Sequence, residues 1–328
     1  MKHRLLRILA CPDCRRDLSL KSTIEDVDEV VEGSLLCASC GQTFPIKAGI
    51  PRFVDADTYA DTFSFEWKTF HDVQIDILNA TDESERTFIG QTGWRPDDLK
   101  GKLVLDAGVG AGRFAEVASR WGGDVVGVDL SFAVDAARGN IGDRDNVHIA
   151  QADLFRLPFR ENTFDAIYSI GVLHHTPDTK RAFDALVPLL REKGEFAVFV
   201  YAYGHYHFFS DLWRNITTKI PHRIVYYLSS LAIPLYYVYK LPVVGLGFRL
   251  LFPMSRHPIP RWRWLDTFDW YTPKFQHKHT WPEVYRWFED SGFENIRLNQ
   301  GTRDSSLLHV TMRGKKGAAA SGGRHPGI

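Results

Sequence analysis

Three short apolar stretches in the middle of the chain each end at an aspartate. They are "KLVLD", "DVVGVD" and "VHIAQAD", which end at Asp106, Asp129 and Asp153. Short apolar runs bounded by polar residues are typical of buried strands. The glycine-rich "AGVGAG" after the first run indicates a tight turn, and "RFAEVASRW" then begins a helix. The pattern predicts strands whose last residue is acidic, the first of them joined to a helix by a glycine turn.

The N-terminal segment alternates polar and apolar residues as strands do, in "DLSLKS", "GSLLCASC" and "GQTFPIKAGIPRF". All four cysteines of the chain lie here, in two Cys-x-x-Cys turns separated by 22 residues: Cys11, Cys14, Cys37 and Cys40. Two such turns complete a tetrahedral Zn²⁺ site, and their spacing suits a zinc-ribbon hairpin. A thioredoxin-like redox pair would need one such turn. We predict a structural Zn²⁺, because so short a segment cannot bury enough core without a metal.

The most apolar part of the chain is "RIVYYLSSLAIPLYYVYKLPVVGLGFRLLF", which begins at Arg223. Its longest charge-free run, from Ile224 to Tyr239, has 16 residues, whereas a spanning helix needs about 20. Pro234 and Lys240 interrupt the stretch further. Tyrosines favour the water–lipid boundary over the bilayer centre. The five in this stretch are Tyr226, Tyr227, Tyr236, Tyr237 and Tyr239. The pattern predicts no simple membrane crossing.

The composition of all 328 residues is that of a globular protein with a real core, since 44% are hydrophobic and 24% charged. Basic and acidic residues balance at 40 each, which excludes a molecule that binds polyanions as a whole. The balance hides a local excess, because Leu212 to Leu265 contains eight Lys or Arg and no acid. The first apolar run is too short and interrupted for a signal peptide, so we expect a cytoplasmic location with free thiols.

The glycine turn and the three aspartates together suggest the chemistry of a ligand. Glycines at 108, 110 and 112 let the backbone turn tightly and leave room for a close approach, although several nucleotide cofactors use such loops. Asp106 would repel a pyrophosphate but suits a ligand that carries a cationic amino group. Asp129 is placed to bind ribose hydroxyls, and Asp153 to accept from an adenine amino group. We therefore expect an adenosine-containing cofactor with an amino group.

These stretches together resemble the class I S-adenosylmethionine-dependent methyltransferases. "LDAGVGAGRF", "GVDLS" and "QADLFRLPFRENTFDAIYSIGVLHH" match the motifs of that family over about residues 100–203. The resemblance implies an α/β fold with a Rossmann-like seven-stranded sheet, and S-adenosylmethionine as the cofactor. It assigns the methionine part to Asp106 and to Gly108, Gly110 and Gly112. It assigns the ribose, the adenine and the border of the site to Asp129, Leu130, Asp153, Leu154, Ile170 and Gly171.

Residues 1–55 resemble the small zinc-ribbon protein that activates tRNA and protein methyltransferases. The cysteines and "FPIKAGIPRFV" carry that resemblance. We expect a zinc ribbon over 1–55, linker or lid helices over 56–100 and a methyltransferase domain over 101–313. The domain would hold a helical insert, residues 204–279, after its fifth strand, and residues 314–328 would be a disordered tail.

The linker has an aromatic stretch, "DTFSFEWKTFHD", with two interpretations. It is either a packed amphipathic helix or a lid over the cofactor. The aromatic residues concerned are Phe63, Phe65, Trp67 and Phe70.

The acceptor side is suggested by "SIGVLHHTPD" after the fourth strand. Enzymes that methylate amino groups of DNA and some RNA place an Asn/Asp-Pro-Pro-aromatic turn there, so this chain resembles the branch acting on small molecules, quinone precursors and lipids. His174 and His175 are candidate general bases, although they could cap a helix or pack under the loop. His277 and His279, in "WLDTFDWYTPKFQHKHT", are further candidate acceptor-site residues, and Thr280 is the expected N-cap of the next helix.

The basic, apolar insert has three interpretations. It contacts an anionic membrane or a lipid-like acceptor, it forms a structural lid or dimer surface, or it binds nucleic acid. We expect methyl transfer to a hydrophobic or lipid-linked small molecule, in the cytoplasm, with peripheral contact at the inner face of the membrane as an option. One alternative is an RNA methyltransferase that uses the ribbon to hold RNA. Another is a non-catalytic module in which the cofactor fold regulates a partner.

Overall fold

The computed structural model describes residues 1–54, 65–66, 69–203, 208–299 and 309–318. Within these residues the chain forms two sheets, one of four strands near the N-terminus and one of seven strands that follows it. The two sheets belong to the zinc-ribbon and methyltransferase parts of the sequence, respectively.

The N-terminal sheet is antiparallel with strand order β1-β2-β3-β4. A short 3₁₀ turn, His3–Arg7, precedes it. Its strands are β1 (Ser19–Asp26), β2 (Glu29–Leu36), β3 (Thr43–Lys47) and β4 (Ile50–Pro51). Phe44 and Ile46 on alternate positions of β3 are buried, while their neighbours are exposed, as expected for a half-buried strand.

The central sheet has the order β10-β11-β9-β8-β5-β6-β7. Its strands are β5 (Leu103–Ala107), β6 (Asp124–Asp129), β7 (Val147–Gln151), β8 (Phe164–Ile170), β9 (Leu190–Tyr201), β10 (Phe293–Leu298) and β11 (His309–Lys316). Strands β5 to β9 pair in parallel, whereas β11 pairs antiparallel with both β9 and β10. The predicted seven-stranded α/β fold is confirmed.

Helices connect the strands of the central sheet and cover it. They are α1 (Asp76–Asn79), α2 (Glu83–Thr92), α3 (Pro96–Leu99), α4 (Arg113–Arg120), α5 (Ala133–Ile141) and α6 (Thr179–Leu186). Three 3₁₀ turns join them, at Leu154–Arg156, Leu173–His175 and Val187–Leu189. The parallel strands carry few polar residues because helices bury them on both sides.

The insert after β9 is helical, as predicted. Its helices are α7 (Phe208–Thr217), α8 (His222–Ser230), α9 (Ala232–Val238), α10 (Val244–Leu251) and α11 (Pro260–Tyr271). Among the residues that the structure describes, no helix has the length and apolar character to span a bilayer. The last connecting helix, α12 (Trp281–Asp290), begins at the predicted N-cap Thr280, whose side chain accepts from the backbone N–H of Glu283.

Two arginines of the insert serve its own folding. Arg214 is 8% exposed and donates to the carbonyl oxygens of Trp270 and Pro273. Arg263 is 2% exposed, donates to three backbone carbonyls and lies over the ring of Tyr236. Both are among the eight basic residues counted between Leu212 and Leu265. Each guanidinium satisfies buried carbonyl groups, so these two are not available to lipid headgroups.

The aromatic linker packs against the insert. Phe65 contacts the rings of Tyr226 and Phe268, and Phe70 contacts those of Tyr226 and Trp264. Phe63 and Trp67 lie outside the described residues. The described part of this segment is therefore packed against α8 and α11.

The last strand, β11, continues to Lys316. The predicted start of the disordered tail, residue 314, is therefore too early, because residues 314–316 pair with β9 and β10. Residues 319–328 lie outside the described residues.

The zinc-ribbon part docks against the β7 edge of the central sheet. Arg52 forms a parallel bridge with Gln151, and the backbone N–H of Phe53 donates to the Gln151 carbonyl at 2.8 Å. On the opposite side Leu9 bridges Phe159. Buried apolar residues of both parts form one continuous core cluster, so the two parts share a core.

Candidate functional site

A cavity of about 280 Å³ opens at the carboxyl ends of the parallel strands. In open parallel sheets this edge is where ligands bind. Its floor comes from the loop after β5, the end of β6 and the end of β8, and a further wall comes from β9 and α11. The predicted cofactor residues that line it are Gly108, Gly110, Asp129, Leu130, Leu154, Ile170 and Gly171. The cavity thus brings together residues from four separate motifs.

The glycine turn adopts a backbone that other residues rarely adopt. Gly108 has φ +100°, and a Cβ there would lie 2.2 Å from a methyl of Val172. Gly112 has φ +96° and precedes α4. The N–H groups of Gly108 and Val109 both donate to the carbonyl of Val128 at 2.8 Å. The turn is therefore fixed against β6, with its outer surface facing the cavity.

Asp129 ends β6 and faces the same cavity. Its carboxylate accepts from the N–H of Gly110 at 3.0 Å, and from the N–H and hydroxyl of Ser131 at 2.9 and 2.7 Å. Burial raises its pKa, whereas these hydrogen bonds oppose that rise. The carboxylate is thus held at a fixed position beside the turn, where a pair of ribose hydroxyls could donate to it.

Asp106 lies behind the turn and is not among the residues that line the cavity. Its carboxylate accepts a hydrogen bond from the hydroxyl of Tyr168 at 2.9 Å, and it is 2% exposed. Burial raises the pKa of Asp106 to about 8, whereas the hydrogen bond from Tyr168 acts to lower it. Asp106 thus joins the end of β5 to Tyr168 of β8 and does not line the cavity.

The adenine side is formed by the turn after β7. Asp153 accepts from the N–H of Phe155 at 2.9 Å and caps the short turn, while Leu154 lines the cavity. On the facing side Gly171 has φ +79°, and no atom lies within 4 Å of the place a Cβ would take. A side chain at Gly171 would occupy cavity space. The residues present therefore fit an adenosine-containing ligand, with Asp129 for its ribose and Leu154 against its base.

The four histidines predicted as candidate catalytic residues do not all line the cavity. Only His175 lines it; its Nδ1 lies 2.8 Å from the carbonyl oxygen of Phe275, and burial lowers its pKa to about 4. His174 is fully buried, with its ring stacked on Tyr201 and its pKa well lowered by burial. His279 pairs with Glu283 at 2.8 Å. His277 donates its backbone N–H to the His174 carbonyl. His174, His277 and His279 thus lie beside the cavity wall and not in it.

The part of the cavity lined by β9 and α11 also carries three acids, Glu66, Asp266 and Asp269. We call them the carboxylate cluster. Burial raises the pKa of Asp266 to about 6 and that of Asp269 to about 7, and it raises that of Glu66 well above its ordinary value. Tyr201 at the end of β9 lines the same wall. Asp266 and Asp269 lie in the stretch "WLDTFDWYTPKFQHKHT" that was singled out for its histidines, whereas Glu66 and Tyr201 were missed.

The four cysteines of the ribbon lie together. Their sulfur atoms are all within 4.8 Å of one another, with Sγ–Sγ separations of 3.6 Å for Cys11 and Cys40 and 3.4 Å for Cys14 and Cys37. Four thiolates at about 2.3 Å from a tetrahedral Zn²⁺ would be about 3.8 Å apart. The donor set and its spacing fit a structural zinc ion.

Two protein families match the chain. Residues 105–198 match the family described as "Methyltransferase domain", and residues 2–49 match the family described as "Trm112p-like protein". The first range contains the glycine turn, the ends of β6 and β8 and most of the cavity floor. The second contains all four cysteines. Both resemblances seen in the sequence are confirmed.

Similar curated proteins are methyltransferases that match over part of the chain. Phosphoethanolamine N-methyltransferase 2 of Caenorhabditis elegans is 27% identical, over 47% of this chain and 35% of that protein. Demethylmenaquinone methyltransferase of Thermobifida fusca is 32% identical, over 31% and 44%. Sterol 24-C-methyltransferase of Saccharomyces cerevisiae is 33% identical, over 30% and 27%. The chain spans less than half the length of these relatives. One part of this chain is thus similar to Trm112p-like proteins and another part to methyltransferase domains.

Proposed function

We propose that the chain transfers the methyl group of S-adenosylmethionine to a small acceptor that is hydrophobic or lipid-linked. The observation that carries the proposal is the cavity, which the glycine turn and Asp129 border on one side and the insert on the other. S-adenosylmethionine supplies an electrophilic methyl group. The task of the protein is then to hold the acceptor in line with that methyl and to exclude water.

The cofactor half of the proposal rests on complementary chemistry. The Asp129 carboxylate is fixed by three hydrogen bonds and suits two ribose hydroxyls. Leu154 offers an apolar surface to the base, and Gly171 leaves open space. The methyltransferase family that matches residues 105–198 supports the same cofactor.

The acceptor half rests on the surface of the insert. Of the 23 large apolar side chains that are exposed among the described residues, 12 lie between Leu212 and Phe252. Exposed lysines and arginines accompany them, namely Lys219, Arg223, Lys240 and Arg256. Apolar side chains among basic ones suit the surface of an anionic membrane. The names of relatives that act on demethylmenaquinone and on a sterol support a hydrophobic acceptor.

The contacts of the ribbon favour a structural, zinc-binding role over RNA binding. Arg4 pairs with Asp124, Arg15 donates to the Leu157 carbonyl, and Arg52 pairs with Asp135. These cationic groups face the methyltransferase domain and are engaged there. A domain that gripped RNA would keep its basic side chains available to phosphates.

Calorimetric titration with S-adenosylmethionine tests the cofactor half. We expect wild-type protein to bind, and Asp129→Ala to bind about 100-fold more weakly, since two hydrogen bonds to a charged acceptor contribute together about 3 kcal/mol. Asp290→Ala, which removes an exposed aspartate at the end of α12, is the matched control and should bind as wild type does. Equal affinity of Asp129→Ala and wild type would contradict the assignment.

Sedimentation with vesicles of phosphatidylglycerol and phosphatidylcholine tests the membrane half. Leu228 and Val243 are 51% and 83% exposed on the insert, so Leu228→Glu with Val243→Glu should reduce the pelleted fraction several-fold. Ile77→Glu, at a residue 50% exposed on α1, is the control and should leave it unchanged. Wild-type protein that stays in the supernatant at low salt would show that the insert does not bind membranes.

A further inference from the structure

The carboxylate cluster lines the same cavity as the predicted cofactor residues. Asp266 and Asp269 are three residues apart on α11, so they share one face of the helix. Glu66 comes from the linker, about 200 residues earlier in the chain. All three line the same cavity as the glycine turn, together with Tyr201 at the end of β9. Burial raises the pKa of the Tyr201 hydroxyl, and the charge of the three acids raises it further.

Two arginines, Arg113 and Arg214, act on the three carboxylates of the cluster through charge, and neither acts on Glu66. Glu66 is 1% exposed, and its Oε2 has no hydrogen-bond partner among the residues described. Arg214 acts on Asp269 only through space, because its guanidinium donates to the Trp270 and Pro273 carbonyls. Arg113 is shared between Asp266 and two further acids, Glu83 and Asp76. A buried carboxylate with no partner is costly, so the cavity favours a ligand that brings positive charge.

A metal ion does not fit this position. In the described residues only the four cysteines bring three metal-binding atoms within 4.8 Å of one another. The three carboxylates are therefore too widely spaced to be joint ligands of one ion. An organic cation is less demanding, since it can bond to one carboxylate, gain from the charge of the others and contact aromatic faces. Phe199 and Tyr201 supply such faces in the same wall.

We propose that this end of the cavity binds the protonated amino group of an aliphatic amine, and that its nitrogen receives the methyl group. The inference rests on the proposed function and names the reacting group of its acceptor. It agrees with a lipid-like acceptor, because an amine on an apolar chain would place its head at the carboxylates and its tail toward the insert.

One carboxylate of the cluster can also remove a proton from the amine before the amine reacts. An ammonium nitrogen has no lone pair, so one of its N–H protons must leave first. Asp269, whose pKa burial raises to about 7, can accept that proton. The lone pair freed on nitrogen then forms a bond to the methyl carbon. The bond between that carbon and sulfur breaks, and its electron pair stays on sulfur. The products are a methylated ammonium and a thioether, and Asp269 returns its proton to solvent.

The test is a binding comparison on the full chain saturated with S-adenosylhomocysteine. Octylamine and octan-1-ol are the two ligands, because they share a tail and differ in charge. We expect octylamine to bind at least tenfold more tightly than octanol. Asp269→Asn and Glu66→Gln should each weaken octylamine at least fivefold and leave octanol unchanged, whereas Asp290→Asn should change neither. Binding of S-adenosylhomocysteine within twofold of wild type shows that each variant keeps its fold.

The outcomes separate this inference from the proposed function. If wild-type protein fails to bind S-adenosylhomocysteine, both are overturned. If it binds but does not distinguish octylamine from octanol, only the amine assignment fails. If octylamine is preferred and both cluster variants retain that preference, the amine binds elsewhere and the assignment to the carboxylate cluster is wrong.

Discussion

The contact between the ribbon and the cofactor domain gives a prediction whose size follows from the structure. Arg52 donates to the Gln151 side-chain oxygen at 2.8 Å and pairs with Asp135 at 2.6 Å. Gln151 is 3% exposed, and its amide donates in turn to the Leu130 carbonyl at 3.0 Å. Leu130 directly follows Asp129 and lines the cavity. One arginine of the ribbon is therefore linked through Gln151 to the cofactor wall.

Arg52→Ala removes both bonds. It leaves the buried Gln151 oxygen without this donor, which costs about 1–3 kcal/mol. Loss of the pair with Asp135, whose side chain is 47% exposed, adds no more than about 1 kcal/mol. We expect the free energy of unfolding to fall by about 1–4 kcal/mol in total. Affinity for S-adenosylmethionine should fall by less than tenfold, because Leu130 is only indirectly supported.

Urea unfolding followed by circular dichroism, with a calorimetric titration beside it, measures both effects. Arg86→Ala is the control, because its pair with Asp82 is exposed at both ends and should contribute less than about 0.5 kcal/mol. A double variant with Gln151→Leu should lose less than the sum of the two single changes, since the orphaned oxygen is gone. If Arg52→Ala has the same free energy of unfolding and the same affinity for S-adenosylmethionine as Arg86→Ala, the coupling between the ribbon and the cofactor wall is refuted.

Three further predictions concern zinc, a buried hydrogen bond and pH. Cys37→Ser should reduce bound zinc from one equivalent to near zero, as measured by mass spectrometry of the metal. It should also lower the melting temperature, and a chelator should have the same two effects on the wild-type protein. Tyr168→Phe removes the donor to buried Asp106 and should cost about 1–3 kcal/mol in urea unfolding, with no loss of zinc. Asp269→Asn should gain stability over wild type at pH 8 but not at pH 4. The folded chain holds the Asp269 proton more tightly than the unfolded chain, so stability declines as pH rises from about 4 through about 7. An equal difference in melting temperature at both pH values would contradict it.

The sequence predicted those features that depend on local pattern. Apolar runs that end in Asp106 and Asp129 became β5 and β6, and the glycine turn between β5 and α4 has the positive φ angles its glycines allow. The cysteine spacing predicted a cluster that the structure contains. In each case the signal lies within a short segment, so the fold need not be known to interpret it.

Features that join distant segments could not be obtained in this way. Glu66 meets Asp266 and Asp269 only because the linker packs on α11. Arg214 and Arg263 look like surface charges in sequence, and only the folded insert shows them bonded to buried carbonyls. The sequence also could not show that His175 lines the cavity while the adjacent His174 does not, since both residues carry the same side chain.

A crystal structure of the chain with S-adenosylhomocysteine tests the central claim most directly. We expect the adenine against Leu154, the two ribose hydroxyls within hydrogen-bond distance of the Asp129 carboxylate, and the sulfur directed toward Tyr201 and Asp269. A ligand bound with its ribose away from Asp129, or its sulfur turned from the carboxylate cluster, would contradict the account.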